Sequence, residues 1–185
     1  LSKDARTPAE FDVTDLVQHG APNELVVIVV QFSDASFIED QDHWWMAGVH
    51  RSVFLYATGD VWIDHVGLTP GRSDDGEWHL DAKVRVGFAD RSLVAAGWKV
   101  TTRLERLNGR VIGKAVTGDV PSDLCPYLFP GHVVKARVDA PGVEPWSAEV
   151  PTLYRAVVTL TDPHGTAKEV TALRVGFRTV AGMVS

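Results

Sequence analysis

The chain of 185 residues has the composition of an ordinary globular protein, with 45% hydrophobic residues, 23% charged residues and a formal net charge of −6. Its basic residues are scattered, so no cationic stripe with interleaved aromatic residues predicts a nucleic-acid partner. The longest unbroken apolar run, Leu25 to Val30, is far shorter than the roughly 20 residues that span a bilayer, so no membrane association is predicted.

The cysteine content and the start of the chain bear on its cellular compartment. Cys125 is the one cysteine, which excludes an internal disulfide and is typical of a reducing compartment. No charged segment followed by an apolar leader precedes the first strand-like pattern. We therefore expect a cytoplasmic location, and we interpret the start at Leu1 as a cut within a longer sequence.

The first 57 residues contain two strand-like runs. Glu24 to Phe32 is rich in valine and predicts a strand that is buried on both faces, and Arg51 to Tyr56 predicts a second strand. So few strands are marginal in water without more sheet. Residues 1–57 are therefore predicted to be the incomplete end of a larger β-domain, which either self-associates through its unpaired apolar edge or is poorly ordered.

An acidic and aromatic segment joins these two runs. Adjacent carboxylates raise one another's pKa unless a cation, a hydrogen-bond donor or water stabilises their charge. Carboxylate oxygens accept hydrogen bonds from sugar hydroxyls, aromatic rings cover the apolar faces of a pyranose, and the same oxygens suit Na⁺, Mg²⁺ or Ca²⁺. The residues by themselves leave three interpretations open: a solvated loop, a sugar-binding loop and a cation site. The segment consists of Glu39, Asp40, Gln41, Asp42, His43, Trp44 and Trp45.

The remainder of the chain shows the period-two pattern of antiparallel strands. Apolar residues alternate with charged ones in two stretches, from Leu80 to Phe88 and from Trp98 to Glu105. Asn108-Gly109 predicts a type I′ hairpin turn, and the stretch from Asp162 to Gly165 predicts a second hairpin. About seven strands at this spacing predict an all-β protein in which residues 58–185 form an immunoglobulin-like β-sandwich.

Four stretches carry a resemblance to a known family. They are "EFDVTDLV", "NELVVIVVQFSDASFIEDQDHWWMAGVHRSVFLY", "WSAEVPTLYRAVVTL" and "VGFRTV". In this order they resemble β-galactosidases of glycoside hydrolase family two, from near Lys3 to Val180. The family has a jelly-roll sugar-binding domain, then an immunoglobulin-like domain, then a TIM barrel with both catalytic glutamates. The resemblance implies that residues 1–57 are the end of the jelly roll, and that no catalytic residue lies in this chain.

The resemblance also assigns roles to residues of the acidic loop. The aspartate that matches Asp42 binds galactosyl hydroxyls in the barrel's active site and in some members ligates Na⁺. Glu39, Asp40, Trp44 and Arg51 match the pattern of the residues that support this loop. Mg²⁺ is a further cation that the resemblance implies for the whole enzyme.

Three downstream aromatic residues are expected to be structural. Trp146, Tyr154 and Phe177 are predicted to anchor the sandwich and its interface with the barrel. The resemblance implies a larger, often homo-oligomeric enzyme that hydrolyses terminal non-reducing β-D-galactose residues of β-galactosides with retention. Two alternatives remain open for the chain alone: a stand-alone carbohydrate-binding module, and a structural or adhesive β-sandwich without a ligand.

Overall fold

The computed structural model describes residues 2, 8–32, 38, 48–94, 96–122 and 131–179. The chain divides into two compact units, Leu1–Tyr56 and Ala57–Ser185. This division falls one residue before the expected domain boundary. In the described ranges, no helix is long and apolar enough to cross a membrane.

Local hydrogen bonds order the segment from Asp12 to Asn23 in the first unit. A 3₁₀ turn spans Thr14–Leu16. The Asp12 carboxylate accepts hydrogen bonds from the backbone N–H and the hydroxyl of Thr14, at 2.9 and 2.6 Å. The Asn23 side chain accepts from the backbone N–H of Gln18 and donates to its carbonyl, at 2.8 and 2.9 Å. These contacts close a short loop without adding to any sheet.

The two strands predicted in the first unit are wrong as secondary structure. Residues 24–32 and 51–56 contain no strand, and their side chains are exposed. A strand is defined by its ladder of hydrogen bonds to a neighbour. The strand ladders of the described residues include neither run, so the apolar pattern does not form sheet there.

The second unit is a sandwich of two antiparallel sheets, which confirms the all-β class. One sheet has three strands in the order β1-β2-β5, and the other has four in the order β4-β3-β6-β7. The strands are β1 (Val61–Arg72), β2 (Trp78–Phe88), β3 (Lys99–Arg106), β4 (Val111–Asp119), β5 (His132–Asp139), β6 (Tyr154–Thr161) and β7 (Ala167–Val175).

The predicted alternation places the core correctly. Leu80 and Val84 of β2 are 0% and 1% exposed, whereas Lys83 and Arg85 face solvent. The inward residues of both sheets pack into two apolar clusters between the sheets. One charged position departs from the pattern, because Glu105 is only 5% exposed although it lies on the outer face.

Three hairpins share one loop geometry, which differs from the predicted two-residue turn. In the hairpin that joins β3 to β4, Arg106 N–H donates to the Arg110 carbonyl and Gly109 N–H donates to the Arg106 carbonyl, both at 2.8 Å. The loop therefore contains three residues and ends at Gly109, whose φ of 87° is left-handed. This is the common three-residue alternative to the type I′ turn. The same pattern closes the loops that end at Gly76 and Gly165.

Register shifts interrupt the pairing of three edge strands, β1, β4 and β7. β1 has an extra residue at Asp64, between the pairs Ile63–Val86 and His65–Arg85. β4 shifts against β3 near Gly113, whose φ is 64° and where a side chain would collide with the backbone of β5. Such bulges increase strand twist and end regular pairing at sheet edges.

Candidate functional site

The predicted sugar-binding loop lies outside the described residues. Glu39, Asp40, Asp42 and Trp44 all belong to residues 39–47, which the structure does not describe. Their roles in sugar and cation binding therefore stay predictions. Arg51 is described and exposed, and it has an interaction partner.

The segments that flank the loop expose an unusual amount of apolar surface. Before the loop, Leu25 is 71% and Ile28 is 84% exposed. After the loop, Phe54 is 75% and Leu55 is 77% exposed. Apolar side chains exposed to this extent favour contact with other protein, because water is a poor solvent for them. Both segments that flank the loop therefore have apolar side chains whose burial would be favourable.

Tyr154 and Phe177 lie in the core of the sandwich. They are 1% and 0% exposed, and their rings meet edge to face at 5.6 Å between centroids. Trp78 contacts the other side of Phe177, at 5.8 Å. The Tyr154 hydroxyl accepts a hydrogen bond from the backbone N–H of Glu144 at 2.6 Å. This bond satisfies the buried phenol and ties the connection between β5 and β6 to the start of β6.

Trp146 is half-buried and fixes the chain where it leaves β7. Its backbone N–H donates to the Phe177 carbonyl at 2.7 Å. Its side chain lies against Gly176, where a Cβ would approach the indole to 3.0 Å, and the Arg178 guanidinium lies over the indole at 5.3 Å. Trp146 therefore has a partly open face beside the chain's exit, and its predicted contact with a barrel is untested.

The buried carboxylates of the sandwich are bound by donors. Hydrogen bonds from backbone N–H groups, first that of Thr166, hold the pKa of Asp162 below its usual value. The Arg103 guanidinium, which donates to Glu105 at 2.7 Å, lowers the pKa of Glu105, and Arg155 contributes at 3.1 Å. A general acid at neutral pH needs a raised pKa. Neither carboxylate suits that task.

A serine, a histidine and an aspartate lie near one another at one end of β2, an arrangement that the sequence did not signal. The Ser73 hydroxyl is 3.3 Å from Nδ1 of His79, and Nε2 of His79 is 3.6 Å from the Asp81 carboxylate. The two oxygens of Asp81 instead accept hydrogen bonds from Arg137 at 2.7 and 2.8 Å. A nucleophile needs a base that is itself oriented by a hydrogen bond. The 3.6 Å between His79 and Asp81 is too long for this hydrogen bond. Ser73, His79 and Asp81 therefore form a row of polar side chains and not a catalytic triad.

The remaining titratable residues form no metal centre within the part of the chain that is described. No group of three or more histidine, cysteine, aspartate or glutamate side chains converges there. Cys125 lies outside the described residues.

Comparison with known proteins identifies the family. The family model for the sugar binding domain of glycosyl hydrolases family 2 matches residues 1–59, and the model described as glycosyl hydrolases family 2 matches residues 61–178. The chain belongs to glycosyl hydrolases family 2. The resemblance inferred from the four sequence stretches is thereby confirmed.

Curated relatives agree with this assignment. The chain is 36% identical over 183 residues to a beta-galactosidase of Pectobacterium atrosepticum, and 34% identical over 181 residues to one of Alteromonas mediterranea. Each alignment covers 97% of this chain and 17% of the relative. A solved β-glucuronidase of Bifidobacterium dentium, complexed with coumarin-3-O-glucuronide, shares 20% identity and a TM-score of 0.49, over 66% of this chain and 19% of that one. That structure adds nothing to the assignment.

The chain spans about one sixth of the length of these relatives. The two family models leave unmatched only residue 60 and residues 179–185. These 185 residues therefore hold the sugar-binding and sandwich regions and have no room for a catalytic barrel. The chain by itself lacks the catalytic domain of a glycosidase.

Proposed function

We propose that this chain is the sugar-binding and scaffold part of a β-galactosidase. The whole enzyme would hydrolyse terminal non-reducing β-D-galactose residues of β-galactosides with retention, through two carboxylates on a barrel outside these residues. The observation that carries the proposal is the 36% identity to a beta-galactosidase across 97% of this chain. That alignment extends over nearly all of the chain, so it takes in both the sugar-binding region and the sandwich.

In this proposal Asp42 acts by binding and not by chemistry. Its carboxylate accepts hydrogen bonds from galactosyl hydroxyls, and Glu39, Asp40, Trp44 and Arg51 support the loop. The donor set of the loop is rich in carboxylate and amide oxygens, which are the ligands that Na⁺ and Mg²⁺ prefer. Asp42 would contribute one oxygen to a Na⁺ ion, which would supply a fixed positive charge for sugar oxygens.

The sandwich serves as a scaffold domain for the barrel in the same proposal. Its core is continuous from Leu80 through Tyr154 to Phe177. A scaffold of this kind offers the barrel a rigid surface, and Trp146 provides the contact with the barrel. The whole enzyme is proposed to be cytoplasmic and homo-oligomeric, which cell fractionation and sedimentation of the whole protein would test.

The decisive experiment compares this chain with the longer protein encoded by the same reading frame. The chain alone should leave a chromogenic β-galactoside intact, whereas the longer protein should hydrolyse it in preference to the β-glucuronide and β-mannoside. Asp42→Asn in the longer protein should lower kcat/KM by about tenfold or more, since a hydrogen bond to a charged group is lost. Asp75→Asn, at the exposed tip of the hairpin between β1 and β2, is the matched control and should have no effect.

Two results would overturn the proposal. One is a longer protein without β-galactosidase activity, and the other is turnover by the purified 185-residue chain that disappears with Asp42→Ala. Titration calorimetry with galactose separates the alternative of a stand-alone sugar-binding module. The chain should bind galactose no better than millimolar, and clear micromolar affinity would favour the module.

A further inference from the structure

Two arginines face each other on the outer surface of the four-stranded sheet. Arg155 of β6 and Arg174 of β7 are direct cross-strand partners, so their side chains emerge on the same face. Like charges in this arrangement destabilise a sheet. Arg103, two residues before Glu105 on the neighbouring strand β3, contributes a third guanidinium to the same area. We call Arg103, Arg155 and Arg174 the arginine cluster.

One carboxylate, that of Glu105, binds two of the three arginines. Glu105 accepts from Nε of Arg103 at 2.7 Å and from a terminal nitrogen of Arg155 at 3.1 Å. Arg174 is exposed and has no ion pair or hydrogen bond with any described residue. The area thus contains three guanidinium groups and one carboxylate. The cluster carries a net positive charge within a chain whose net charge is −6.

The cluster is fixed in position and still short of acceptors. Glu105 is 5% exposed, so its two hydrogen bonds to arginine are shielded from water and orient both guanidinium groups. Nε of Arg155 is buried without a hydrogen-bond partner in the described structure. That atom lies too deep for a ligand to reach, so the donors open to an incoming acceptor are those of the exposed Arg174 and the outer part of the Arg155 guanidinium. The cluster therefore has both excess charge and unused donors.

We propose that the arginine cluster is a docking site for an acidic peptide segment of a partner protein. A carboxylate between Arg155 and Arg174 can accept a bidentate pair of hydrogen bonds from Arg174 and a further charge-assisted bond from Arg155, whose other terminal nitrogen is held by Glu105. The adjacent outer-face positions on β7 are apolar and exposed: Ala172 and Val170 lie two and four residues before Arg174. The site thus accepts a carboxylate that is flanked by small apolar side chains.

The charge distribution favours a peptide over a polyanion. A nucleic acid or a heparin-like chain would meet the overall charge of −6, because long-range electrostatics depend on the whole molecule. A single carboxylate feels chiefly the nearby guanidinium groups, since the charges further away are screened beyond about 8 to 10 Å. The apolar side chains beside the cluster would also find no apolar partner in a sugar-phosphate chain.

The test measures binding of a synthetic peptide of alternating valine and glutamate residues, by nuclear magnetic resonance of the isotope-labelled 185-residue chain. The peptide should shift the side-chain signals of Arg155 and Arg174, and its counterpart with glutamine in place of glutamate should bind at least about fivefold more weakly. Arg174→Gln should weaken binding of the glutamate peptide by about fivefold, and Arg174→Lys by less, because lysine keeps the charge and loses the fork.

The matched control is Lys135→Gln, which makes the same change of charge on the outer face of the other sheet. It should alter peptide affinity less than about twofold. An equal loss with Lys135→Gln would show binding to net charge alone and would overturn the proposal. Equal binding of the glutamine peptide, or displacement of the glutamate peptide by acetate or inorganic phosphate at the peptide's own concentration, would overturn it as well.

Discussion

The Glu169 carboxylate on β7 accepts a hydrogen bond from the backbone N–H of Ile63 on β1, with 2.7 Å between the nitrogen and Oε2. β1 and β7 are the end strands of different sheets, so this side chain joins the two edges on one side of the sandwich. Ile63 also directly precedes the bulge at Asp64. The bond therefore satisfies a donor that would otherwise be open to another chain at an unpaired edge.

Removing this acceptor should loosen the edge. Glu169→Ala is expected to lower the free energy of unfolding by about 1 to 2 kcal/mol, because a hydrogen bond to a partly shielded carboxylate is lost. Glu169→Gln keeps a carbonyl acceptor and should lose less. Urea unfolding and hydrogen exchange of the Ile63 amide measure the effect. Unchanged exchange at Ile63 in the alanine variant would contradict this role.

A buried hydroxyl in β3 offers a stabilising substitution. Thr102 is 0% exposed, and its hydroxyl has no hydrogen-bond partner within the described structure. Thr102→Val replaces the hydroxyl by a methyl group of similar shape and should raise the free energy of unfolding by about 1 kcal/mol.

The neighbouring threonine supplies the control for that substitution. The Thr101 hydroxyl lies 2.8 Å from that of Thr117 on the outer face, so Thr101→Val loses a bond and should bring no gain. The midpoints of thermal unfolding of both variants measure these two effects. A Thr102→Val protein that unfolds at a lower temperature than the natural chain would show that the hydroxyl is satisfied in solution.

The sequence predicts the sandwich well because one face of each sheet is exposed to solvent, so that polar and apolar residues alternate along the strands. The alternation from Leu80 to Phe88 needs only local spacing, and the structure buries these apolar side chains as expected. Glu105 follows the same alternation and yet is buried, because arginines from β3 and β6 cover it. Arg155 lies 50 residues away in the chain, so no local pattern reports that contact.

Turn and strand predictions in other places failed for similar reasons. Asn108-Gly109 marks the correct hairpin, but the hydrogen bond between Arg106 and Arg110 selects a three-residue loop. The valine-rich run from Glu24 to Phe32 has the composition of a buried strand, whereas strand formation depends on a partner that no composition supplies. The roles of Asp42 and its neighbours came from the family resemblance alone, because a cluster of carboxylates by itself does not specify a ligand.

Glu105 should make the sandwich sensitive to acid. Because its pKa is lowered on folding, chiefly by Arg103, its stabilising contribution is present above its unfolded pKa of about 4.3 and is lost as the pH falls through the folded pKa. Glu105→Gln should therefore lower the urea midpoint at pH 6 and reduce the further drop between pH 5 and pH 3. Parallel midpoint curves for the natural chain and the variant would exclude this contribution.

The opposed arginines should limit the stability of the chain when no partner is bound. Arg174→Glu creates an opposite-charge pair with Arg155 and should raise the free energy of unfolding by about 0.5 kcal/mol, with Arg174→Gln in between. Added salt should stabilise the natural chain more than the glutamate variant, since screening weakens the repulsion in the natural chain and the attraction in the variant. The reverse salt dependence would mean that the two guanidinium groups do not repel each other.

The exposed apolar runs of the first unit should drive self-association of the 185-residue chain. Ile28 is 84% exposed and Leu55 is 77% exposed, and burying one such side chain contributes about 1.5 kcal/mol or more. Ile28→Lys or Leu55→Lys should therefore weaken association by about tenfold in sedimentation velocity experiments. Val111→Lys, at a residue of the sandwich that is 50% exposed, is the matched control and should leave association unchanged. A chain that sediments as a monomer at all concentrations would show that these apolar runs do not drive association. A control variant that weakens association as much as Ile28→Lys or Leu55→Lys would show that the association surface lies elsewhere.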